Sequence, residues 1–219
     1  KGANVRKITV IYNGVETTGH TSTEKPKAQS KPFTFANIGQ FVPWKNQLVF
    51  IEAAKIVIGK NADARFLLIG DYIFKRNSAY KKKLLEEINA PCLSGKIEWV
   101  GWAEITEKFW QKIDCLVHAA ENEPFGRVII EALAHKIPVI AAESCGPAEI
   151  IENGKTGLLV PPCDIDSFAN SMLKIMNDNC LRQNLGSAGF DHAVNNFSAE
   201  TNAKQTIEIY QEILNNQLS

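Results

Sequence analysis

"DCLVHAAENEPFGRVIIEALAHKIPVIAA", Asp114 to Ala142, reads as strand, loop, helix and strand in succession. "DCLVHAA" and "IPVIAA" are short, continuous apolar runs, the pattern of strands covered on both faces. "RVIIEALAHK" between them carries its aliphatic residues at helical spacing. A helix that joins two such strands makes them parallel members of one sheet. Two acids in this stretch stand out. Glu123 lies on a Pro-Phe-Gly turn, and Glu131 lies eight positions later, inside the apolar helix between Ile130 and Ala132. A carboxylate in such surroundings needs a partner to offset its desolvation.

The same alternation continues on both sides. "FTFANIG" (33–39), "ARFLLIG" (64–70) and "KIEWVGW" (96–102) read as strands. "NQLVFIEAAKIVIGK" (46–60) and "SAYKKKLLEEIN" (78–89) read as helices. Downstream, "GLLVPP" (157–162) is a further strand, and the chain is helical from about Asp164 to Asn216. Strands alternating with helices predict an α/β fold with a doubly wound, Rossmann-like parallel sheet. Upstream, "KITVIYNGV" (Lys7 to Val15) reads as a short strand ending in an Asn-Gly turn, and Gly19 to Lys31 as a polar loop. The pattern is already under way at Lys1, as expected of a piece of a longer protein.

Bulk properties narrow the function. The 219 residues are 45% hydrophobic and 22% charged, which suits a globular domain with a full core. Lys plus Arg equals Asp plus Glu at 24 each, which argues against a nucleic-acid binder. Cys92, Cys115, Cys145, Cys163 and Cys180 follow no zinc or redox spacing and read as reduced thiols of a cytoplasmic protein. No apolar run is long enough to span a bilayer, and no signal peptide is visible.

In doubly wound folds, ligands sit beyond the carboxyl ends of the strands. Three strand-end loops are therefore candidates. In "IGQFVPWKNQ", Gly39 ends a strand and Lys45 stands beside the next helix start, where a cation and free N–H groups suit an anion; a plain surface lysine is the alternative. Trp44 either shields that site or packs at the core edge. In "ENEPFGRVIIEALAHK", Gly126 permits close backbone approach, and the helix N-terminus at Arg127 faces the crevice. Glu131 shares a helix face with Arg127, so it either accepts hydroxyl hydrogen bonds from a ligand or pairs with Arg127 while Glu123 is solvated. In "AAESCGPAEIIENGKTGLLV", the N–H groups near Gly146 suit a phosphate or sugar, with a plain β–α loop as the alternative; Glu149 caps or holds the loop, and Gly154 is the expected C-cap of "AEIIEN".

Other signals are weaker. Asp164 and Asp166 in "DID" resemble a metal triplet, but they open a helix after Pro-Pro, so an N-cap and a dipole partner are expected and no metal site is assigned. Of His20, His118, His135 and His192, only His118 lies at a candidate strand end, and it is given no catalytic role. The basic run Lys75 to Lys83 reads as a solvated helix face, with an anionic membrane surface as the alternative partner.

Taken together, "VIYNGV", "IGQFVPWKN", "FLLIGD", "EPFGRVIIEALAHKIPVIAA" and "GPAEIIENGKTGLLVPP" resemble, in order and across nearly the whole chain, the C-terminal domain of a family-four glycosyltransferase of GT-B architecture, of the bacterial surface-polysaccharide type. The resemblance implies a retaining hexosyltransferase that moves a sugar from a nucleotide diphosphate sugar, a UDP-sugar favoured, to a glycan or lipid-linked saccharide. It places the pathway in O-antigen, capsule or exopolysaccharide synthesis, in the cytoplasm or at the inner face of the membrane. It implies no cofactor and no required metal. It divides the chain into the end of an N-terminal domain with its linker strand (1–15), a loop (16–32), a nucleotide-sugar-binding domain (33–195) and a crossover helix (196–219). The acceptor site then lies mostly on the missing N-terminal domain, so this piece alone is expected to be inactive.

By the same resemblance, Lys45 contacts the diphosphate, Glu123 faces the transferred sugar, and Glu131 takes the ribose hydroxyls. Gly39, Gln40, Phe125, Gly126, Arg127 and Val128 complete the donor site. Three positions depart from the family pattern. Gln40 stands where an arginine is usual, which removes one phosphate cation. Asn46 and Cys145 stand where glycine is usual. Alternatives are a nucleotide-sugar epimerase of the same fold and a catalytically idle nucleotide-sugar-binding subunit. A nicotinamide dehydrogenase is disfavoured, because no G-x-G-x-x-G follows the first strand.

Overall fold

The structure, a computed structural model, describes residues 8–17, 32–60, 63–72 and 78–217. In chain order its elements are β1 (Phe33–Ile38), α1 (Gln47–Lys60), β2 (Ala64–Ile69), α2 (Ser78–Ile88), β3 (Ile97–Gly101), α3 (Glu107–Trp110), β4 (Cys115–His118), α4 (Arg127–Ala134), β5 (Val139–Ala142), α5 (Cys145–Ile150), β6 (Leu158–Val160), α6 (Ile165–Asn177), α7 (Asn179–Phe197) and α8 (Ala199–Gln217). The six strands form one parallel sheet in the order β3-β2-β1-β4-β5-β6. The chain winds outward from β1 to β3, then returns to the other side of β1 and winds outward again to β6. The reversal falls between β1 and β4, and a crevice opens at that point in doubly wound sheets.

The period-two pleat explains why the strands are apolar throughout. Phe35, Phe66, Leu68, Val117, Ile140 and Val160 face one core, together with Phe50 of α1 and Phe168 and Met172 of α6. Their neighbours Ala36, Leu67, Ile69, Leu116, Val139 and Ala141 face the other, against Ile129 and Leu133 of α4 and Phe197 of α7. Helices cover both sides of most of the sheet, and the exposed strand positions, Arg65 of β2 and Glu98 of β3, pair with each other.

Two expectations need correction. The strand from Lys7 to Val15 does not form: Lys7 is outside the described residues, and of the rest only Val15 makes a bridge, to Ser198. Its backbone is engaged by the α7–α8 junction instead. Val15 N–H donates to Phe197 O at 2.8 Å, Ala199 N–H to Val15 O at 2.9 Å, and Asn202 Nδ2 to the carbonyl of Tyr12 at 2.6 Å. The helix expected at 148–153 lies earlier, at Cys145–Ile150, because Ile151 is extended (φ −101°, ψ 122°). Gly154 is therefore no C-cap; it sits in the next turn at φ +77°, with its N–H on Gly157 O at 2.8 Å. Most of the loop 16–32 is outside the described residues.

The C-terminal helical third is three helices. Asp164 caps α6 as expected, accepting from Ser167 N–H at 3.0 Å and from its hydroxyl at 2.7 Å. On α8, Ile207, Tyr210, Ile213 and Leu214 are each at least half exposed. The five cysteines are free thiols.

Candidate functional site

The β1–α1 loop reaches the crevice through a 3₁₀ turn, Pro43–Lys45, which ends at Asn46 in the left-handed region (φ +50°). Asparagine tolerates that conformation better than most residues, so it serves where glycine would be the simplest choice. The other departure from a glycine pattern, Cys145, also has positive φ (+35°). Both substitutions thus occupy backbone positions that favour glycine, and neither side chain enters the crevice.

The β4–α4 loop is clamped from both sides. Glu121 N–H donates to Trp44 O at 2.9 Å, which ties it to the Lys45 turn. Ser144 Oγ donates to Ala120 O at 3.3 Å, and Gly146 N–H donates to Glu123 O at 3.0 Å. Gly146 lies so close that a Cβ there would meet Phe125 O at 2.3 Å. Its N–H is therefore spent on holding the Glu123 loop and is not open to a phosphate, contrary to the sequence expectation. Glu149 does hold the surroundings, since it accepts from the Tyr12 hydroxyl at 2.9 Å. Tyr12 in turn stacks on Phe125, with ring centroids 5.8 Å apart.

Between these loops lies an open cleft of about 510 Å³. Gly39, Lys45, Glu123, Phe125, Gly126, Arg127, Val128 and Glu131 all line it. Gln40 does not; its carbonyl accepts from Gln47 Nε2 at 2.8 Å. Asn13, Ile38 and Pro124 line it as well. In the sequence Asn13 reads only as a turn residue; no signal in its dipeptide places it over a cleft formed by distant loops.

The electrostatic centre is Glu123, which is buried. Its Oε2 accepts from Lys45 Nζ and from His118 Nε2, the latter at 2.9 Å. Its Oε1 takes no hydrogen bond from a described residue. Burial pushes this carboxyl up, but the hydrogen bonds from His118 and Lys45, and their charge, overcome that and hold it at about 2. For His118, burial lowers the imidazole, the Glu123 bond raises it and the Lys45 charge lowers it; the net direction is down, towards the neutral ring. Glu123 is thus not the solvated turn acid of the alternative reading. The ion pair in that reading does form, however: Arg127 Nη2 lies 3.6 Å from Glu131 Oε1.

At the cleft wall, α4 starts at Gly126 in the left-handed conformation (φ +99°), and no side chain caps its N-terminus. Such an end carries partial positive charge and suits an anion. Trp44 is 39% exposed, with Lys45 Nζ 4.6 Å from its ring centroid, so it flanks the cation and is no part of the core. Residues 75–77 of the basic run are outside the described residues. Within the rest, Lys81 pairs with Asp71 at 2.9 Å and covers the Trp99 ring at 4.2 Å, which leaves less free charge for an anionic surface. Among the described residues no cluster of three His, Cys, Asp or Glu side chains is placed to hold a metal ion, and no helix is long and apolar enough to cross a membrane.

Comparison with known proteins identifies the family and the fold. The family model of glycosyl transferases group 1 matches residues 20–192. The lipopolysaccharide core biosynthesis glycosyltransferase LpsE of Rhizobium meliloti is 30% identical over 89% of this chain and 55% of its own length. The capsular polysaccharide biosynthesis glycosyltransferase CapM of Staphylococcus aureus is 25% identical over 83% of this chain and 47% of its own. The chain thus spans about half the length of these relatives. Among solved structures, Anabaena Alr3699/HepE in complex with UDP-glucose has a TM-score of 0.86 at 26% identity, covering 96% of this chain and 59% of that one. The C-terminal domain of the group 1 protein LpcC from Francisella tularensis, covered in full, matches 85% of this chain with a TM-score of 0.74 and 26% identity.

Proposed function

The chain belongs to the glycosyl transferases group 1 family, and from that premise we propose that it is the donor-binding half of a retaining hexosyltransferase of surface-polysaccharide synthesis. The donor is a nucleotide diphosphate sugar, with UDP-sugars favoured by the UDP-glucose complex of HepE. The acceptor is a saccharide or a lipid-linked saccharide, as the polysaccharide relatives suggest. One observation carries the reading: the crevice at the sheet's reversal point gathers a cation, Lys45, an uncapped helix N-terminus at Gly126–Arg127, and an acid, Glu131, one turn further along the same helix.

Each part has a task. Charge grows on the diphosphate as the glycosidic bond breaks, and Lys45 with the α4 N-terminus stabilises that charge. Glu131 accepts the two ribose hydroxyls, and Glu123, through its free Oε1, faces the transferred sugar as it becomes oxocarbenium-like. This charge balance calls for no divalent ion. The exposed apolar face of α8, with Ile207, Tyr210 and Leu214, packs against the preceding domain of the whole enzyme. That domain supplies the acceptor site, so this chain by itself turns over no donor.

Calorimetry of the chain with UDP, GDP and ADP, with and without magnesium, tests the proposal. We expect one diphosphate to be preferred, independently of magnesium, and its binding to weaken at least about tenfold in Lys45→Met and in Glu131→Ala. Absence of binding to all three would overturn it. A second reading is favoured by Gln40, which lacks the charge of an arginine and stays out of the cleft: a nucleotide-sugar-binding subunit without turnover. The longer protein separates the two, because transfer to an acceptor excludes the idle subunit.

A further inference from the structure

Two titratable side chains, Lys45 and His118, converge on one carboxylate oxygen at the crevice. Glu123 Oε2 takes both the Lys45 ammonium and the His118 ring. His118 ends β4 and is 2% exposed, and Glu123 is 7% exposed. Among the described residues, Lys45 from the β1–α1 loop and Glu123 from the β4–α4 loop are the charged groups that act on the ring. With Lys45 protonated, Glu123 ionised and His118 neutral, the cluster sums to zero. Because Nε2 faces an ionised carboxylate, it carries the hydrogen, and Nδ1 holds the lone pair.

A diphosphate upsets that balance. Resting on the donor-site reading above, we infer that His118 is the positioning residue of Glu123 and takes up a proton when Lys45 leaves Glu123 for the donor diphosphate. Lysine is a compact charge on a flexible stem, so it can turn to a new anion without moving its backbone. Glu123 is then left buried with a single neutral partner, which is costly for an ionised carboxylate. Either Glu123 or His118 must gain a proton. Glu123 is held well below the ordinary carboxylate range, and the hydrogen bond from His118 goes on holding it down after Lys45 has left, so its protonation near neutrality is the larger change. The imidazole needs only to return to its ordinary range, since the lowering influence of Lys45 has gone and the raising influence of Glu123 remains. The proton therefore comes from solvent to Nδ1, and no other bond forms or breaks. The resulting imidazolium keeps Glu123 ionised and oriented while Lys45 serves the diphosphate.

Two measurements on the chain test this. The first is an NMR titration of the His118 ring, its resonance assigned by its loss in His118→Gln. In Lys45→Met, which mimics departure of the lysine, the protonation midpoint should rise by at least about one pH unit relative to the wild type; Lys45→Gln serves if the Met variant does not fold. An unchanged midpoint overturns the inference. The second is UDP calorimetry near pH 7 in two buffers of different ionisation enthalpy. The terminal phosphate of UDP contributes its own proton change on binding, which His118→Gln, keeping an N–H donor that cannot be charged, reports alone; the wild type should take up a measurable further fraction of a proton per UDP beyond that variant. UDP binding by the wild type with the same proton change as His118→Gln overturns the role of His118 and leaves the donor site standing. No binding of UDP, GDP or ADP overturns the donor site and this inference with it.

Discussion

Lys45 and Glu123, 78 positions apart in sequence, form an ion pair across the point where the sheet reverses direction. One follows β1 and the other follows β4, and these strands are neighbours only because the chain returns past its own starting strand. The Trp44–Glu121 backbone bond keeps the two loops in contact. The pair also gives the site a pH dependence of known sign.

The Glu123 carboxyl titrates at about 2, against an ordinary value of 4.5. Because the folded value is depressed, the group contributes stability that is complete above the unfolded value and is lost as pH falls towards the folded one. Thermal melts of the wild type should therefore fall more steeply than those of Glu123→Gln between about pH 5 and pH 2. At neutral pH the variant should be the less stable of the two, because Lys45 loses its buried counter-charge. Parallel melting curves across that range would contradict this.

Glu131 faces two explanations, a ligand acid or one end of an ion pair with Arg127 at 3.6 Å. The Arg127 side chain is 65% exposed, and pairs at such sites contribute little. Arg127→Ala should leave the melting temperature nearly unchanged. Glu131→Ala should weaken the preferred nucleoside diphosphate by about tenfold or more. If the arginine variant loses as much affinity as the glutamate variant, Glu131 acts through the pair and not on the ligand.

Gly146 should resist any side chain. A Cβ there would stand 2.3 Å from Phe125 O and 2.4 Å from Phe125 Cα, both backbone atoms that cannot turn aside. Gly146→Ala should destabilise by about 1–3 kcal/mol and disturb the Glu123 loop. Gly59 in α1 is the control: nothing lies within 4 Å of a Cβ built there, so Gly59→Ala should stabilise by ~0.5 kcal/mol. Denaturant titration of both variants checks the contrast; equal and opposite signs to these would refute the close approach.

Asp164 is a helix cap, holding Ser167 N–H at 3.0 Å. Asp164→Ala should lower the melting temperature by a few degrees, and Asp164→Asn by less, because an amide oxygen still accepts the bond. A calcium- or manganese-dependent rise in wild-type melting temperature that the Ala variant abolishes would revive the metal reading of "DID".

Much of this was legible from residues alone. The strand and helix alternation is written in apolar runs bounded by glycine and proline, because a strand covered on both faces admits few polar positions and a crossover needs a helix of sufficient length. Even Asp164 was readable, since a cap is a local bond over three residues. The short α3 helix and the 3₁₀ turns at Pro43–Lys45 and Pro91–Leu93 were not, because a turn or so carries too few residues to show a period. The linker strand failed for the opposite reason: "KITVIYNGV" has strand composition, but composition does not say that the α7–α8 junction takes its hydrogen bonds.

The fold class, and which loops reach the crevice, are readable from the order of the residues, since strand ends in a doubly wound sheet must carry the site. What those loops do to one another emerges only once the sheet brings them together. Lone histidines are most often structural, and five residues of separation say nothing about a hydrogen bond, so the contact of His118 with Glu123 had no signal. Nor could any local pattern show that Gly146 spends its N–H on Glu123, that Gln40 is not among the residues lining the cleft, or that Asn13 lines it. Each depends on contacts between segments brought together by sheet order, and such contacts depend on the packing of the whole chain and not on the residues beside them.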